Sequence, residues 1–558
     1  MGLIGPIVRT IVSGFDETPL SVWSNKDLAY DYAIGGIPFL AGTNQQFPLQ
    51  RKTAPYTKNQ IDQTTSPGEQ TLVNWWLRSQ QSFHAGTGIT YEEPTGQIND
   101  TTPYRFQDSV GVDVWTAGQI SLLPLSQQLI DTASSNLFMA SNGNGFLWYT
   151  DNNVVYGYTT SGAFVGSANM PDQILAICSH GDEVFVVSKT SIQSFAARAI
   201  SSILSPGGSG TFYTLPSTIS TAAIGFVKDR LVAGLDSSIY ELPASGGSFP
   251  SPIYTSNSPV TFVSVAESPE AIYVAGNGGN GKQSAIWMFV LDTSSGLLPT
   301  LSGAIMAAEL PTGESIGCIY GYLGSYLAIG TNKGIRVADV QSDGSLQYGP
   351  VSVPIPVPNF GQDIKVRAIL GVDRFLYGGL EADYSIFDAF VAGGINGKSG
   401  LARIDLGTTV GLKQFAWATD RQAHVVGQIN SIAYDGESNA ILYAVAGQGI
   451  YADVQFAYEP NGYLKTGNIR YHMLEPKLFK YVKIFTRPLL SGTVEIVAED
   501  ESGNSIMVGQ HTGPSGSALL ATEIDRDAFP PGYGARQYVN LTFVLKGADS
   551  GFRVSDTP

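Results

Sequence analysis

Histidine and cysteine are the side chains of this sequence best suited to acid–base, nucleophilic or metal chemistry, and both are sparse. The histidines are scattered, without the spacing of metal ligands or of a catalytic motif: His84, His180, His424, His472 and His511. No HExxH, GxxxxGKS/T or CxxC motif occurs in the sequence. We therefore predict no catalytic, cofactor or metal site, and a protein that is not an enzyme. His84, which follows an aromatic residue, is predicted to be a hydrogen-bonded structural residue.

Carboxylates could supply two further kinds of site. The segment AEDESGNS at 498–505 alternates oxygen-bearing side chains, but it lacks the EF-hand spacing and the downstream bidentate Glu. It is predicted to be a solvated hairpin turn rather than a Ca²⁺ site. A carboxylate pair for glycoside hydrolysis is defined by its separation in space, so the sequence leaves that alternative open.

The two cysteines, Cys178 and Cys318, cannot form a disulfide framework. They occur in similar contexts, AICSHG and IGCIYG, each on a predicted strand. We expect both to be reduced and buried on equivalent strands of different repeats, too far apart to bridge.

The composition is that of an all-β protein. Charged residues make up 14% of the chain, against roughly 25% in ordinary soluble domains. The sequence holds 64 Gly and 30 Pro, so turns are frequent, and Tyr, Phe, Val and Ile are abundant. The formal net charge of −16 argues against nucleic acid or an anionic membrane as a direct partner. No stretch approaches the roughly 18 apolar residues of a membrane span, and the first residues do not resemble a signal peptide.

A strand-turn-strand pattern recurs through the middle of the chain. Clear copies begin at 174, 221, 261, 314, 365 and 429, and a weaker one at 138. The spacing matches propeller blades, whose sheets bury both faces by packing around a ring. We predict a β-propeller of about seven blades over 113–455, closed by an early strand from GVDVWTAGQISLL pairing with strands near its end. Stacked β-sandwiches are the alternative.

The two flanking regions differ from the repeat. Residues 456–558 predict a separate jelly-roll-like β-sandwich of antiparallel strands. The sequence predicts that residues 1–112 form an extended N-terminal arm with one short helix. The helix is expected after Ser66-Pro67-Gly68-Glu69, because these four residues have the pattern of a capping box. Adjacent Trp75 and Trp76 would point about 100° apart on such a helix, so both need a covering surface. That surface is either the chain's own propeller or a neighbouring subunit.

Three stretches resemble a known family. Lys52, PYTKNQIDQTTSPGEQTL and WWLRSQQSFHAGTGITYEEP resemble the N-terminal region of minor tail proteins of long-tailed actinobacteriophages, in which a WWxRSQxSFHxGxG run precedes a propeller. The stretch TGNIRYHMLEPKLFKYVKIFTRPLLSGTVEI resembles their junction into a C-terminal sandwich. The resemblance covers the whole chain and is most specific at 66–94. Such chains tend to continue after a segment like FRVSDTP, so we expect the natural polypeptide to extend beyond Pro558.

The resemblance implies a structural minor tail protein at the tail tip or baseplate of a virion, synthesised in the host cytoplasm. Its implied partners are other tail proteins, further copies of itself as a trimer or hexamer, and host cell-wall glycan, without nucleic acid or membrane insertion. The residues predicted to anchor the arm in the assembly are Trp75, Trp76, Arg78, Phe83 and His84. The alternatives are a glycan-binding adhesin module and a propeller-type enzyme that degrades polysaccharide.

Overall fold

The structure is a computed structural model. It describes residues 32–34, 37–39, 50–52, 76–78, 80, 82–93, 100–116, 119–141, 145–159, 162–181, 183–196, 211–243, 248–279, 283–292, 300–354, 365–380, 399–423, 425, 427–471, 474–479, 481–485, 492–512, 524–530 and 533–547. Contacts between residues divide the chain into two compact units. The propeller unit is Pro124–Ala457, and the terminal unit combines Met1–Leu123 with Tyr458–Pro558.

Where the structure describes it, the N-terminal part of the terminal unit contains short strands and a 3₁₀ turn, Thr102–Tyr104. The strands are β1 (Tyr32–Ile34), β2 (Ile37–Phe39), β3 (Gln50–Lys52), β4 (Trp76–Arg78), β5 (Asp108–Val110), β6 (Val112–Asp113) and β7 (Ser121–Leu122). Three antiparallel pairs join β1 to β2, β3 to β4 and β6 to β7.

Seven antiparallel sheets of four or five strands form the described part of the propeller unit. In sheet order, blade 1 consists of β9 (Met139–Ser141), β10 (Phe146–Asp151), β11 (Val154–Thr159) and β12 (Phe164–Asn169). Blade 2 consists of β13 (Ile174–His180), β14 (Glu183–Ser188), β15 (Ser191–Ala196) and β16 (Thr211–Thr214). Blade 3 consists of β17 (Ala222–Val227), β18 (Arg230–Leu235), β19 (Ser238–Leu242) and β20 (Tyr254–Thr255). Blade 4 is β21 (Val260–Glu267), β22 (Ile272–Gly278), β23 (Gln283–Phe289) and β26 (Ile305–Glu309), with β24 (Leu291–Asp292) and β25 (Thr300–Leu301) paired separately.

The remaining blades follow the same order. Blade 5 is β27 (Ile316–Tyr322), β28 (Tyr326–Thr331) and β29 (Gly334–Val340), with β30 (Leu346–Tyr348) and β31 (Val353–Pro354) both on β29; blade 6 is β32 (Ile369–Val372), β33 (Phe375–Leu380), β34 (Gly400–Gly411) and β35 (Gln414–Gln422). Blade 7 is β36 (Ile429–Asp435), β37 (Ala440–Val445), β38 (Gly449–Tyr458) and, as its outermost strand, β8 (Pro124–Ile130).

The residues of the second strand of each blade explain how the blades pack. In β18 and β37 nearly every side chain is buried, as expected for a strand covered on both faces. The apolar side chains form clusters between neighbouring blades, for example Val232 of blade 3 with Phe262 and Val274 of blade 4. The blades therefore share their cores across each interface, and no single sheet is stable alone.

The ring is closed. The first strands contact one another in chain order from blade 1 to blade 7, and β36 of blade 7 contacts β9 of blade 1. Ser431 on β36 accepts a hydrogen bond from the Met139 amide on β9 at 3.1 Å. The predicted all-β fold with a propeller of about seven blades is confirmed, and stacked sandwiches are excluded.

The strand that closes the ring differs from the one predicted. The prediction placed it in GVDVWTAGQISLL, but the last three of those residues lead into β8, whose sequence is PLSQQLI, and β8 pairs with β38. β6 and β7, which lie within the predicted segment, instead pair with each other. β8 is the outermost strand and is only partly covered: Gln127 and Gln128 are exposed while Ser126 and Ile130 are buried, as expected for a strand at the edge of a sheet.

The C-terminal part of the terminal unit is a two-layered antiparallel sandwich. Its strands are β39 (Asn461–Lys465), β40 (Lys477–Leu478), β41 (Tyr481–Phe485), β42 (Thr493–Asp500), β43 (Ser505–Thr512), β44 (Ile524–Ala528), β45 (Ala535–Arg536) and β46 (Val539–Lys546). One layer is the sheet β43-β42-β46-β39-β5, and Ile496 and Leu541 of this sheet pack with Val482 of the β41-β44 pair. The N-terminal strand β5 completes a sheet otherwise made by the last hundred residues.

The helix predicted after Ser66 is wrong at the positions that the structure describes. Trp76–Arg78 form β4, which pairs with β3 in the register Lys52↔Trp76 and Gln50↔Arg78. Ser66, Pro67, Glu69 and Trp75 lie outside the described residues. Adjacent tryptophans suit a strand better than a short helix, because successive side chains of a strand point to opposite faces and aromatic residues favour strands.

Both cysteines are free and lie on the first strands of blades 2 and 5, as predicted. Cys318 is buried and Cys178 is half-buried, so full burial is confirmed for only one of them. Burial raises the pKa of each thiol to about 12.

We expect both thiols to react with Ellman's reagent at pH 8 far more slowly than free cysteine, with Cys178 the faster of the two. The physical reason is that the thiolate is the nucleophile, and a pKa near 12 leaves roughly one thiolate in ten thousand at that pH. Both should react at once in denaturant. A native chain that titrates one thiol at the rate of free cysteine would contradict this expectation, and Cys178→Ser would identify the residue.

Candidate functional site

The described histidines have structural contacts. His84 Nδ1 lies 2.7 Å from the Ser82 hydroxyl and its ring packs on Tyr104 at 4.9 Å, which confirms the predicted hydrogen-bonded role. His180 stacks on Phe226, and His511 Nε2 lies 2.5 Å from Asp527 Oδ2. His424 and His472 lie outside the described residues. Within the described part of the chain, no group of three or more His, Cys, Asp or Glu is arranged to hold a metal ion.

The AEDESGNS segment is a hairpin turn between β42 and β43, as predicted. One oxygen of Asp500 accepts the amides of Ser502 at 2.9 Å and Asn504 at 3.0 Å. The other accepts the Arg536 guanidinium at 2.7 Å. The carboxylate therefore fixes the turn.

A buried network of arginine and aspartate joins blades 6 and 7. Asp420 is fully buried and pairs with Arg403 and, at 2.5 Å, with Arg421 Nη1. Arg421 Nε continues to Asp453 of blade 7 at 2.8 Å, and both guanidiniums lie over the Tyr377 ring. Burial alone would raise the pKa of Asp420, but the two guanidiniums outweigh it and hold that pKa below its ordinary value. Each charged side chain of this network therefore lies next to one of opposite charge inside the propeller.

The predicted assembly residues do not form one site in the described residues. Phe83 is half-buried and its ring packs edge-on against Phe106 at 6.2 Å. His84 belongs to the same loop. Only the backbone of Trp76 and Arg78 is described, and Trp75 lies outside the described residues. Phe83 and His84 thus contribute to the fold of their own chain.

The segment that contains Phe83 and His84 is built into the C-terminal strands. Glu92 donates its amide to Asn468 at 3.0 Å, and Asn468 donates to Thr90 at 2.8 Å. The Glu92 carboxylate is fully buried and accepts the Gly467 amide at 2.8 Å. The segment predicted as the end of a separate arm is therefore part of the terminal unit.

The terminal unit has exposed apolar side chains and an arginine that is paired with a carboxylate. Tyr91 is 41% exposed, Leu474 69% and Leu478 67%. Arg470 lies over the Tyr91 ring at 4.1 Å and pairs with Glu93 through two nitrogens, while Tyr538 meets Tyr91 edge-on at 6.4 Å. We call Tyr91, Arg470, Leu474, Leu478 and Tyr538 the terminal surface.

Lys477 lies near the charges of Arg470 and Glu93. Its ammonium donates to the Gln537 carbonyl, and β40, which contains Lys477 and Leu478, pairs with β45. Burial lowers the pKa of Lys477, and the nearby charges of Glu475, Arg470 and Glu93 also act on it. Leu474 and Leu478 belong to the same segment as Lys477, and the side chains of the terminal surface have the aromatic, apolar and arginine chemistry of a protein interface.

The sequence did not reveal this surface, because its members come from segments far apart in the chain. Arg470 and Glu93 are separated by 377 residues. The one indication was that both segments belong to the stretches that carry the family resemblance.

No family model matches the chain, and no curated protein matches it. In the described residues, no helix is long and apolar enough to cross a membrane.

Among solved structures, the chain is similar to the N-terminal domain of Nup159, with 11% identity over 66% of this chain and 99% of that one and a TM-score of 0.35. It is similar to the C-terminal WD40 domain of Sif2, with 8% identity over 60% and 99% and a TM-score of 0.37. It is also similar to Sqt1 of Saccharomyces cerevisiae, with 15% identity over 56% and 81% and a TM-score of 0.33. Likenesses this weak carry no argument about function, and the propeller assignment rests on sheet order and ring closure.

Proposed function

We propose that this chain is a structural, non-catalytic component of a bacteriophage tail, located at the tail tip or baseplate. In this proposal the terminal unit docks the chain to other tail proteins, and the chain contributes to attachment to the host surface. The terminal surface is the observation that carries the proposal. Large exposed apolar side chains, in segments that also contain an aromatic ring packed on an arginine–carboxylate pair, are typical of a surface that is covered in an assembly.

Two further observations support a structural role. The motif that resembles phage minor tail proteins, SFHAGTGITYEE, belongs to the terminal unit; it supplies Tyr91 to the terminal surface and Glu93 as the partner of Arg470. The buried charged residues of the propeller described above are paired with one another, which fits a structural role.

The decisive test of the tail assignment is whether the chain occurs in purified particles. We expect immunogold labelling with antibodies against this chain to mark one end of the tail in a phage that carries the gene. Labelling of no part of the particle, together with absence of the chain from the particle's protein profile, would refute the assignment.

The role of the terminal surface is tested by the triple variant Tyr91→Ala, Leu474→Ser, Leu478→Ser. We expect the variant to melt within a few degrees of wild type, since the side chains are exposed, but to be depleted at least ten-fold from particles. Leu412→Ser is the matched control, because Leu412 is 88% exposed on a propeller hairpin, and it should be incorporated normally. Normal incorporation of the triple variant would show that assembly uses another surface, with Trp75 and Trp76 the next pair to replace.

A further inference from the structure

Blade 1 carries a row of aromatic side chains that runs from its core to its surface. Tyr149 on β10 lies opposite Tyr156 on β11, and Tyr158 on β11 lies opposite Phe164 on β12. Because these positions alternate along their strands, all four rings lie on the same face of the blade. We call Tyr156, Tyr158 and Phe164 the blade 1 aromatic site.

The rings form a continuous series. Tyr149 and Tyr156 are stacked, with centroids 4.9 Å apart and planes 14° apart. Tyr158 lies 5.5 Å from Tyr149 and meets Phe164 edge-on at 5.3 Å. Exposure increases along the series, since Tyr149 is buried, Tyr156 and Tyr158 are half-buried, and Phe164 is 57% exposed. The inner rings thus hold the outer ones in place.

Phe164 is held by a tight hairpin. The turn between β11 and β12 is closed by hydrogen bonds from the Gly162 amide to the Thr159 carbonyl and from the Ala163 amide to the Thr159 hydroxyl, at 2.9 and 3.0 Å. Gly162 has a φ of +87°, which suits glycine. A binding surface whose exposed ring is fixed in advance loses little conformational entropy when a ligand binds.

Polar groups accompany the rings. Asp151, at the end of β10 on the same face, accepts hydrogen bonds from Thr132 Oγ1 at 2.9 Å and Asn152 Nδ2 at 3.0 Å. Burial, the charge of Asp151 and the neighbouring Tyr158 all raise the pKa of Tyr156, which places its phenol and the carboxylate close together. Phenol hydroxyls donate and accept, and a carboxylate accepts, so the site offers several hydrogen-bonding groups next to aromatic faces.

We propose that the blade 1 aromatic site binds a neutral glycan, with one sugar ring packed on Phe164 and Tyr158 and its hydroxyls bound by Tyr156 and Asp151. A sugar ring has an apolar face of C–H groups and an edge of hydroxyls, and this combination matches an exposed aromatic ring beside phenol and carboxylate oxygens. An anionic glycan is disfavoured by Asp151 and by the formal net charge of −16.

This inference deepens the attachment role proposed above and rests on it, since it names the ligand class and the site. It does not use the terminal surface. Binding of glycan by the isolated full chain and incorporation into particles are therefore separate measurements.

The test is binding of the full-length chain to immobilised neutral polysaccharides, a glucan, a mannan, a galactan and an arabinogalactan, with a polyuronate as the anionic comparison. We expect wild type to bind at least one neutral polysaccharide more tightly than the polyuronate. Phe164→Ala should weaken that binding at least ten-fold, and Tyr156→Phe, which removes only a hydroxyl, several-fold. Met306→Ala should leave it unchanged, because Met306 is a similarly exposed apolar side chain, 56% exposed, on the outermost strand of blade 4.

Three outcomes would overturn the inference: binding to none of the neutral polysaccharides, preference for the polyuronate, or equal binding by wild type and Phe164→Ala. If Phe164→Ala instead abolished incorporation into particles, the site would be a protein interface rather than a glycan site. If wild type bound glycan through Phe164 but was absent from particles, the tail assignment would fail and the glycan site would stand.

Discussion

Asp420→Ala is expected to lower the free energy of unfolding of the propeller by about 3–5 kcal/mol, because it leaves buried guanidiniums without their shared carboxylate. Arg403 would lose its ion-pair partner Asp420, and Arg421 would retain only Asp453. The measurement is urea unfolding followed by the fluorescence of the propeller's tryptophans. Loss of less than about 1 kcal/mol would mean that water or a rearranged side chain replaces the carboxylate.

The matched control is Asp339→Ala. Asp339 pairs with Lys413 at 3.1 Å, but their side chains are 39% and 27% exposed. A pair screened by solvent in this way contributes at most about 1 kcal/mol. If both substitutions lowered the free energy of unfolding by the same amount, burial of the network would not be the reason that Asp420→Ala destabilises the propeller.

The pH dependence of Asp420→Asn provides a second measure of the same network. The folded pKa of Asp420 lies below its unfolded value, so its contribution is fully present above about pH 4 and is lost as the pH falls through the folded pKa. The stability difference between wild type and Asp420→Asn should therefore narrow as the pH falls from 4 towards 2. A stability difference that stays constant across that range would show that the pKa of Asp420 is not lower in the folded state than in the unfolded state.

Gly449→Ala is expected to destabilise the closure of the ring by about 3–5 kcal/mol. Gly449 begins β38 with a φ of +117°, and an added Cβ would overlap the carbonyl oxygen of Ile130 at the end of β8. The backbone conformation costs about 1–3 kcal/mol for a residue other than glycine, and the overlap adds about 1–3 kcal/mol. We expect hydrogen exchange of the 124–130 amides to accelerate strongly while amides of blades 3 and 4 stay protected.

Gly447→Ala separates the cost of the backbone conformation from the cost of the steric overlap. Gly447 also has a positive φ, +74°, but a Cβ there meets nothing within 4 Å, so only the backbone cost of about 1 kcal/mol applies. If the 124–130 amides exchanged at equal rates in both variants, β8 would accommodate the added Cβ without any loss of its pairing with β38. That result would contradict the expected destabilisation of the ring closure.

The propeller could be predicted from the sequence because each blade is encoded locally. The two apolar strands and the short turn of blade 3, AAIGFV, KD and RLVAGL, lie within fourteen residues of one another, and Lys228 and Asp229 both take the positive φ that a two-residue hairpin turn requires. The closing strand was misplaced because β8 contains a proline and two glutamines, so its sequence alone does not distinguish an outermost strand from a loop.

The candidate site was less predictable because its contacts join segments that are far apart in the chain. Phe83 and His84 belong to the most specific stretch of the resemblance, yet their contacts with Phe106 and Tyr104 are internal to the unit. Tyr91 meets Arg470 only once the two ends of the chain have paired. Periodicity describes local structure, and the terminal surface is not local.

The pairing of β5 with β39 also determines the order in which the chain can mature during synthesis. Tyr463 on β39 donates a hydrogen bond from its hydroxyl to the carboxylate of Asp108 on β5, a residue 355 positions earlier in the chain. At about 5–20 residues per second, a ribosome needs roughly 20–70 seconds to make that stretch. β5, the N-terminal edge of the sandwich, therefore waits unpaired while the propeller is being made. Any exchange of the whole propeller for another by recombination would leave both ends of that sandwich intact.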